Sequence, residues 1–170
     1  LTPVQCAVLK TMYPNVDVVV QSSPIRTFDD QSYTAEGIEV VDNLNNCDII
    51  LGVKEVPIDS LIANKTYLFF SHTIKKQPYN RSLLSAILNK KIRLIDYEVI
   101  KDKYKSRLIG FGRYAGIVGC YNGFLTYGLK HGSYELKQAN LCRNRNEVEE
   151  ELKKVILPNN FRCLITGFGR

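Results

Sequence analysis

The chain has 170 residues, 45% apolar and 24% charged, with a formal net charge of +6. That balance suits one globular domain, or one domain with part of another, and argues against disorder. No apolar run nears the roughly 18 residues that a membrane-spanning helix needs, and nothing resembles a secretory signal. The 23 basic residues are scattered, with no more than short clusters such as Lys75-Lys76 and Lys90-Lys91. A nucleic-acid face concentrates its charge, so the basic balance reads as a solvated surface.

Thr2-Pro3 reads as a helix start, threonine capping and proline in the first turn, with Val4, Val8 and Met12 as the apolar stripe. Because the chain begins at Leu1, inside that start, further residues are expected before it. Asp17 to Gln21 is a strand, Asp29-Asp30 caps a short helix that stops at Gly37, and Ile38 to Val41 is the next strand. Asp48 to Val53, Thr66 to Ser71 and Ile92 to Tyr97 follow as strands, with a helical turn near Pro57 and a helix over Gln77 to Leu88 carrying Leu83, Leu84, Ile87 and Leu88. Short apolar runs of this kind are expected to be buried on both faces of a sheet. Arg107 to Phe111 reads as a further strand, and the glycine-rich stretch Tyr114 to His131 as a long helix whose glycines allow close packing. A helix over Asn146 to Ile156 and a strand over Phe161 to Thr166 complete the series.

Strands alternating with helices predict α/β architecture: a Rossmann-like, three-layer domain with a mainly parallel sheet, residues 1–113. Residues 114–170 would then be a linker helix and the first strand of a second Rossmann domain, the nucleotide-binding one. Gly167-Phe168-Gly169 after that strand is half of the fingerprint G-x-G-x-x-G, in which glycines admit a pyrophosphate; Gly167 and Gly169 are therefore candidate cofactor-binding residues.

Three of the strands run into residues that carry protons: Lys54, His72 and Glu98. In a parallel sheet the carboxyl ends of the strands line the binding crevice, so these groups are expected at one edge. Lysine near other cations and histidine near neutral pH suit acid–base chemistry. Lys75 and Arg26 could each bind a carboxylate, and Glu98 could hold an ammonium or tune the lysine. Each has a plainer reading: a surface lysine paired with Glu55 for Lys54, a hydrogen-bonded core histidine for His72, solvated side chains for Lys75 and Arg26, and a cap or surface ion pair for Glu98. His131 looks like a helix-end residue without chemistry. Cys6, Cys47, Cys120, Cys142 and Cys163 form no C-x-x-C pair, which reads as reduced thiols in the cytoplasm and no metal site.

The segments Val20-Gln21-Ser22-Ser23, Ile50-Leu51-Gly52-Val53-Lys54-Glu55, Tyr67 through Gln77, Arg93 through Glu98 and Gly110 through Gly119 together resemble the amino-terminal half of the lysine-forming saccharopine dehydrogenases and the related lysine–2-oxoglutarate reductases. These belong with alanine dehydrogenase and transhydrogenase in one superfamily. The resemblance implies acid–base work by Lys54 and His72, with Lys75 and Glu98 supporting the pocket. It also implies oxidation of a secondary amine by NAD or NADP, and release of lysine and 2-oxoglutarate from saccharopine after water addition. The substrate is a small molecule, with no nucleic acid or membrane partner, and self-association is left open. The family carries an arginine and other polar residues just before the L-T-P element, and this chain begins at that element. The rest of the nucleotide domain is likewise not in this sequence, so the chain is expected not to turn over substrate alone. Alanine dehydrogenase is the alternative within the class, and a non-catalytic ligand-binding module of the same fold is the alternative outside it.

Overall fold

Thr2 caps helix α1 (Pro3–Met12), and Gln5 returns the bond: Gln5 N donates to Thr2 Oγ1 at 3.3 Å and Thr2 N to Gln5 Oε1 at 2.9 Å. This reciprocal cap satisfies two donors that every helix start leaves without partners. Asp29 caps α2 (Asp30–Ala35), and Gly37 follows it at φ +71°, where a side chain would be strained. The computed structural model describes residues 1–166 and divides into two units, Leu1–Ile109 and a second that begins at Gly110.

In the first unit all strand pairing is parallel, in two sheets rather than one. Strand β1 (Val19–Gln21) pairs with β2 (Glu39–Val41), while β3 (Ile49–Lys54), β4 (Thr66–Phe70) and β5 (Arg93–Asp96) form a three-stranded sheet with β4 central. Helix α3 (Arg81–Asn89) follows a one-turn helix at Pro78–Asn80. Leu83 and Ile87, four residues apart, share a core with Ile50, Tyr67, Phe69 and Ile92. A second core joins Cys6, Tyr33 and Ile38 to Val18, Val20 and Val40. Burial pushes the Cys6 thiol above its ordinary range.

Several expectations need correction. The stripe of Val4, Val8 and Met12 is exposed, and α1 buries Pro3 and Cys6 instead. Leu84 and Leu88 of α3 also face outward, because each lies about 100° around the helix from the residue that packs. The sheet of β3 to β5 is covered on one face. On the other, Ile49, Leu51 and Val53 are each more than half exposed, so β3 is not buried on both sides. Arg107 to Phe111 forms no strand; the only pairing there is one antiparallel bridge, Lys101 to Arg107. Phe161 to Thr166 is likewise unpaired among the described residues. A strand exists only as a pairing, and here Phe161 instead lays its ring against Tyr127 and Phe124, with centroids 5.2 and 6.3 Å away. Gly167 and Gly169 lie outside the described residues.

The second unit is built on α4 (Gly112–His131), which ends on Gly132 in the left-handed conformation, and on α5 (Arg145–Leu152), capped by Asn144. Only one of the α4 glycines expected to mediate close packing does so. A Cβ on Gly128 would stand 2.5 Å from the Tyr134 carbonyl oxygen, whereas Gly116, Gly119 and Gly123 have nothing within 4 Å. Gly128→Ala should therefore destabilise this unit by about 1–2 kcal/mol, and Gly119→Ala should be neutral or stabilising by up to about 1 kcal/mol. Thermal denaturation of the two variants checks both signs. Between α4 and α5, Lys137 Nζ donates to Glu147 Oε1 at 2.6 Å and Arg143 N to its other oxygen at 2.7 Å, which depresses the Glu147 carboxyl to about 2. His131 ends α4 against the Tyr127 ring, as its position at a helix terminus suggests.

Candidate active site

The register of the three-stranded sheet sets the site. Phe69 of β4 stands opposite Asp96 of β5, and Phe70 opposite Lys54 of β3, so the carboxyl ends of all three strands reach one edge. Between Leu51 and Lys54 the pairing slips: three steps along β3 match two along β4, which places an extra residue at Gly52-Val53. A bulge of this kind re-aims the side chain after it. Partners across a ladder share a face, so Lys54 takes the side of Leu68 and Phe70 rather than the α3-covered side of Ile50 and Tyr67. A Cβ on Gly52 would come within 3.2 Å of the Lys54 carbonyl oxygen, which accounts for glycine at the bulge. Lys54 is exposed, and among the described residues no hydrogen bond or ion pair holds its side chain.

Past β4 the chain turns at His72, which sits in the left-handed region at φ 57°, as does Lys76 at φ 53°; one turn of helix, Thr73–Lys75, lies between them. Each such residue costs roughly 1 kcal/mol, so the surrounding contacts must hold the turn. The turn brings His72 and Lys75, and a later loop brings Arg107, onto one buried carboxylate. Glu98 Oε2 lies 3.1 Å from His72 Nδ1, and its Oε1 lies 3.3 Å from Lys75 Nζ and 3.9 Å from an Arg107 guanidinium nitrogen. Lys75 Nζ is also 3.0 Å from the same His72 nitrogen. One nitrogen cannot donate to Glu98 and accept from Lys75 at once. Protonated, Nδ1 has an acceptor in Glu98; deprotonated, it has a donor in Lys75. The imidazole is held in either state, which is the arrangement a proton carrier requires. Its ring also stacks on Phe70, with centroids 6.5 Å apart.

Of the residues singled out in the sequence, the structure gathers His72, Lys75 and Glu98 directly and puts Lys54 on the same sheet edge. Arg26 is elsewhere. Its guanidinium pairs with Asp30, donates to Phe28 O at 3.0 Å and Gln21 O at 2.8 Å, and lies over the Tyr33 ring. The donors that a substrate would use are thus engaged in bracing its own loop. Arg107 has no sequence signal, since a lone loop arginine matches no pattern; it reaches Glu98 and lies 5.9 Å from the Phe70 centroid only through the fold. Among the described residues no group of three or more histidine, cysteine or acidic side chains could hold a metal, and no helix is long and apolar enough to cross a membrane.

Parallel strands with helical connections define a Rossmann-like α/β domain, and in folds of that class the crevice outside the strands' carboxyl ends is where ligands bind. More particularly, the chain belongs to the family described as alanine dehydrogenase/PNT, N-terminal domain, whose model matches residues 1–118. It is 42% identical over 113 residues to the mitochondrial alpha-aminoadipic semialdehyde synthase of Rattus norvegicus, covering 66% of this chain and 12% of that protein. The corresponding protein of Arabidopsis thaliana is 40% identical over 125 residues, covering 70% of this chain and 12% of that one. The lysine-forming, NAD(+) saccharopine dehydrogenase of Yarrowia lipolytica is 28% identical over 153 residues, covering 85% of this chain and 42% of that one. A solved L-alanine dehydrogenase matches the fold with a TM-score of 0.60 at 16% identity, covering 79% of this chain and 38% of that one. The chain thus spans 12% of the length of the first two relatives and less than half of the others.

Proposed function

We propose that this domain is the substrate side of a nicotinamide-dependent amino-acid oxidoreductase that interconverts saccharopine with lysine and 2-oxoglutarate. The observation that carries the choice of substrate is the excess of cations at one edge. Lys75 and Arg107 share a single carboxylate, Glu98, while Lys54 has no anionic partner among the described residues. Saccharopine bears three carboxylates and 2-oxoglutarate two, so a surplus of positive groups serves them, where alanine offers only one. The saccharopine dehydrogenase of Yarrowia lipolytica is by name lysine-forming, in agreement with this reading.

In the proposed reaction Lys54 and His72 exchange protons with the substrate nitrogen and with the water that attacks the neighbouring carbon. Glu98 and Lys75 keep the imidazole oriented in both of its states, and Lys75 and Arg107 supply positive charge for carboxylates. NAD or NADP supplies hydride acceptance; the half-fingerprint at Gly167 and Gly169 lies outside the described residues, and no residue of 1–166 is assigned to it. We place the domain in a reducing compartment, the cytoplasm or the mitochondrial matrix, in keeping with its five free cysteines.

The test joins this domain to a nucleotide-binding domain in one polypeptide and compares substrates. Saccharopine should be oxidised with kcat/KM at least about 100-fold above that for alanine, the margin a site gains from charged groups that one substrate leaves unpaired. Equal or higher efficiency with alanine would overturn the assignment.

A further inference from the structure

Asp96 has no part in the proposed chemistry, yet it is buried and both polar contacts of its side chain lead to that site. Its Oδ1 accepts from the Glu98 backbone N–H at 2.9 Å, and its Oδ2 accepts from Ser71 Oγ at 2.5 Å. Ser71, with no exposed surface, in turn accepts from the Thr73 N–H at 3.2 Å and pairs with Thr73 Oγ1 at 2.8 Å. Asp96 therefore ties the end of β5, which presents Glu98, to the turn after β4, which presents His72. On the far side of that turn, buried Asn80 donates from Nδ2 to the His72 carbonyl at 3.2 Å. The left-handed His72 is gripped before and after by side chains that contact nothing reactive.

We infer that Asp96, acting through Ser71, is a positioning residue that holds His72 and Glu98 within hydrogen-bonding distance of each other; the inference rests on the proposed acid–base role of His72. A carboxylate is not required for this. An asparagine can accept from the Glu98 N–H with its carbonyl oxygen and donate to Ser71 Oγ with its amide, leaving the Ser71 hydroxyl proton for Thr73.

Two measurements test it. Amide hydrogen exchange on this chain should show the Glu98 and Thr73 N–H groups exchanging at least about tenfold faster in Asp96→Ala, relative to the core amides of Tyr67 and Leu94, as one lost hydrogen bond implies. Asp96→Asn should stay within about threefold of the parent. Ser71→Ala, a milder change should Asp96→Ala fail to fold, should loosen Thr73 alone. In the two-domain polypeptide, kcat should fall about tenfold in Asp96→Ala with KM nearly unchanged, and recover in Asp96→Asn. Unchanged exchange at Glu98 and Thr73, or a full kcat in Asp96→Ala where His72→Gln is impaired, would overturn the inference. A full kcat in His72→Gln would instead overturn the proposed function, whatever Asp96 does.

Discussion

Lys54→Met in a polypeptide joining this domain to a nucleotide-binding one should lower kcat by about 10²–10⁴-fold, the range that a single positioned proton carrier contributes. Methionine keeps most of the length and apolar stem of lysine but can neither give nor take a proton. Because the Lys54 side chain makes no hydrogen bond or ion pair among the described residues, its replacement should leave the thermal midpoint almost unchanged. That separation of turnover from stability is the informative result. His72→Gln should cost less, about 10–100-fold, because Lys75 stands 3.0 Å from the nitrogen it replaces and can take over part of the transfer. The double variant should fall short of the product of the two losses if both groups serve one proton path. Steady-state kinetics with saccharopine measures all three. Near-normal turnover in the Lys54 variant would leave the domain as a binding module of the same fold.

Glu98→Gln should act on stability as well as chemistry. The side chain keeps its shape and loses its charge, so His72, Lys75 and Arg107 surround a neutral amide. Removing one partner of a buried ion pair costs about 3–5 kcal/mol. Lys75 and Arg107 are 49% and 48% exposed and therefore partly screened, which lowers the expectation here to about 2–3 kcal/mol. A chain of this size should lose roughly 4–12 °C from its midpoint at that cost. Sulfate should restore more stability to the variant than to the parent, because an anion can offset the charge left unpaired on Lys75 and Arg107. Equal sulfate responses would show that the two do not form one positive cluster.

Much of this arrangement can be read from residue order, for identifiable reasons. Thr2-Pro3 and Asp29-Asp30 announce helix starts because capping is local chemistry. Short apolar runs announce β3, β4 and β5, and parallel pairing follows from the crossovers between them, a helical turn at Ile58–Ser60 and then α3. Once those strands are in place, Lys54, His72 and Glu98 must come to one edge. What order alone does not reveal depends on long-range contact. Val4, Val8 and Met12 have helical spacing yet face outward, since spacing defines a stripe without saying which side the rest of the chain covers. Arg26 could equally meet a ligand or its own loop, and only the approach of Asp30 and Tyr33 decides. Ser71 and Asp96 lie 25 positions apart and look like ordinary strand-end polar residues until the register brings them together.

The additional residue at Gly52-Val53 has one more implication. In a pleated strand, orientation is a matter of parity: counting from Ile50, Lys54 would point the same way as Ile50, into the hydrocarbon interior. The slip inverts that parity at the last position and delivers an ammonium group to water instead. The spacing between Ile50 and Lys54 is therefore a fixed odd-for-even exchange that point substitution cannot reproduce. Insertions or deletions there should be far less tolerable than a change of any single side chain in the same stretch, Lys54 itself excepted.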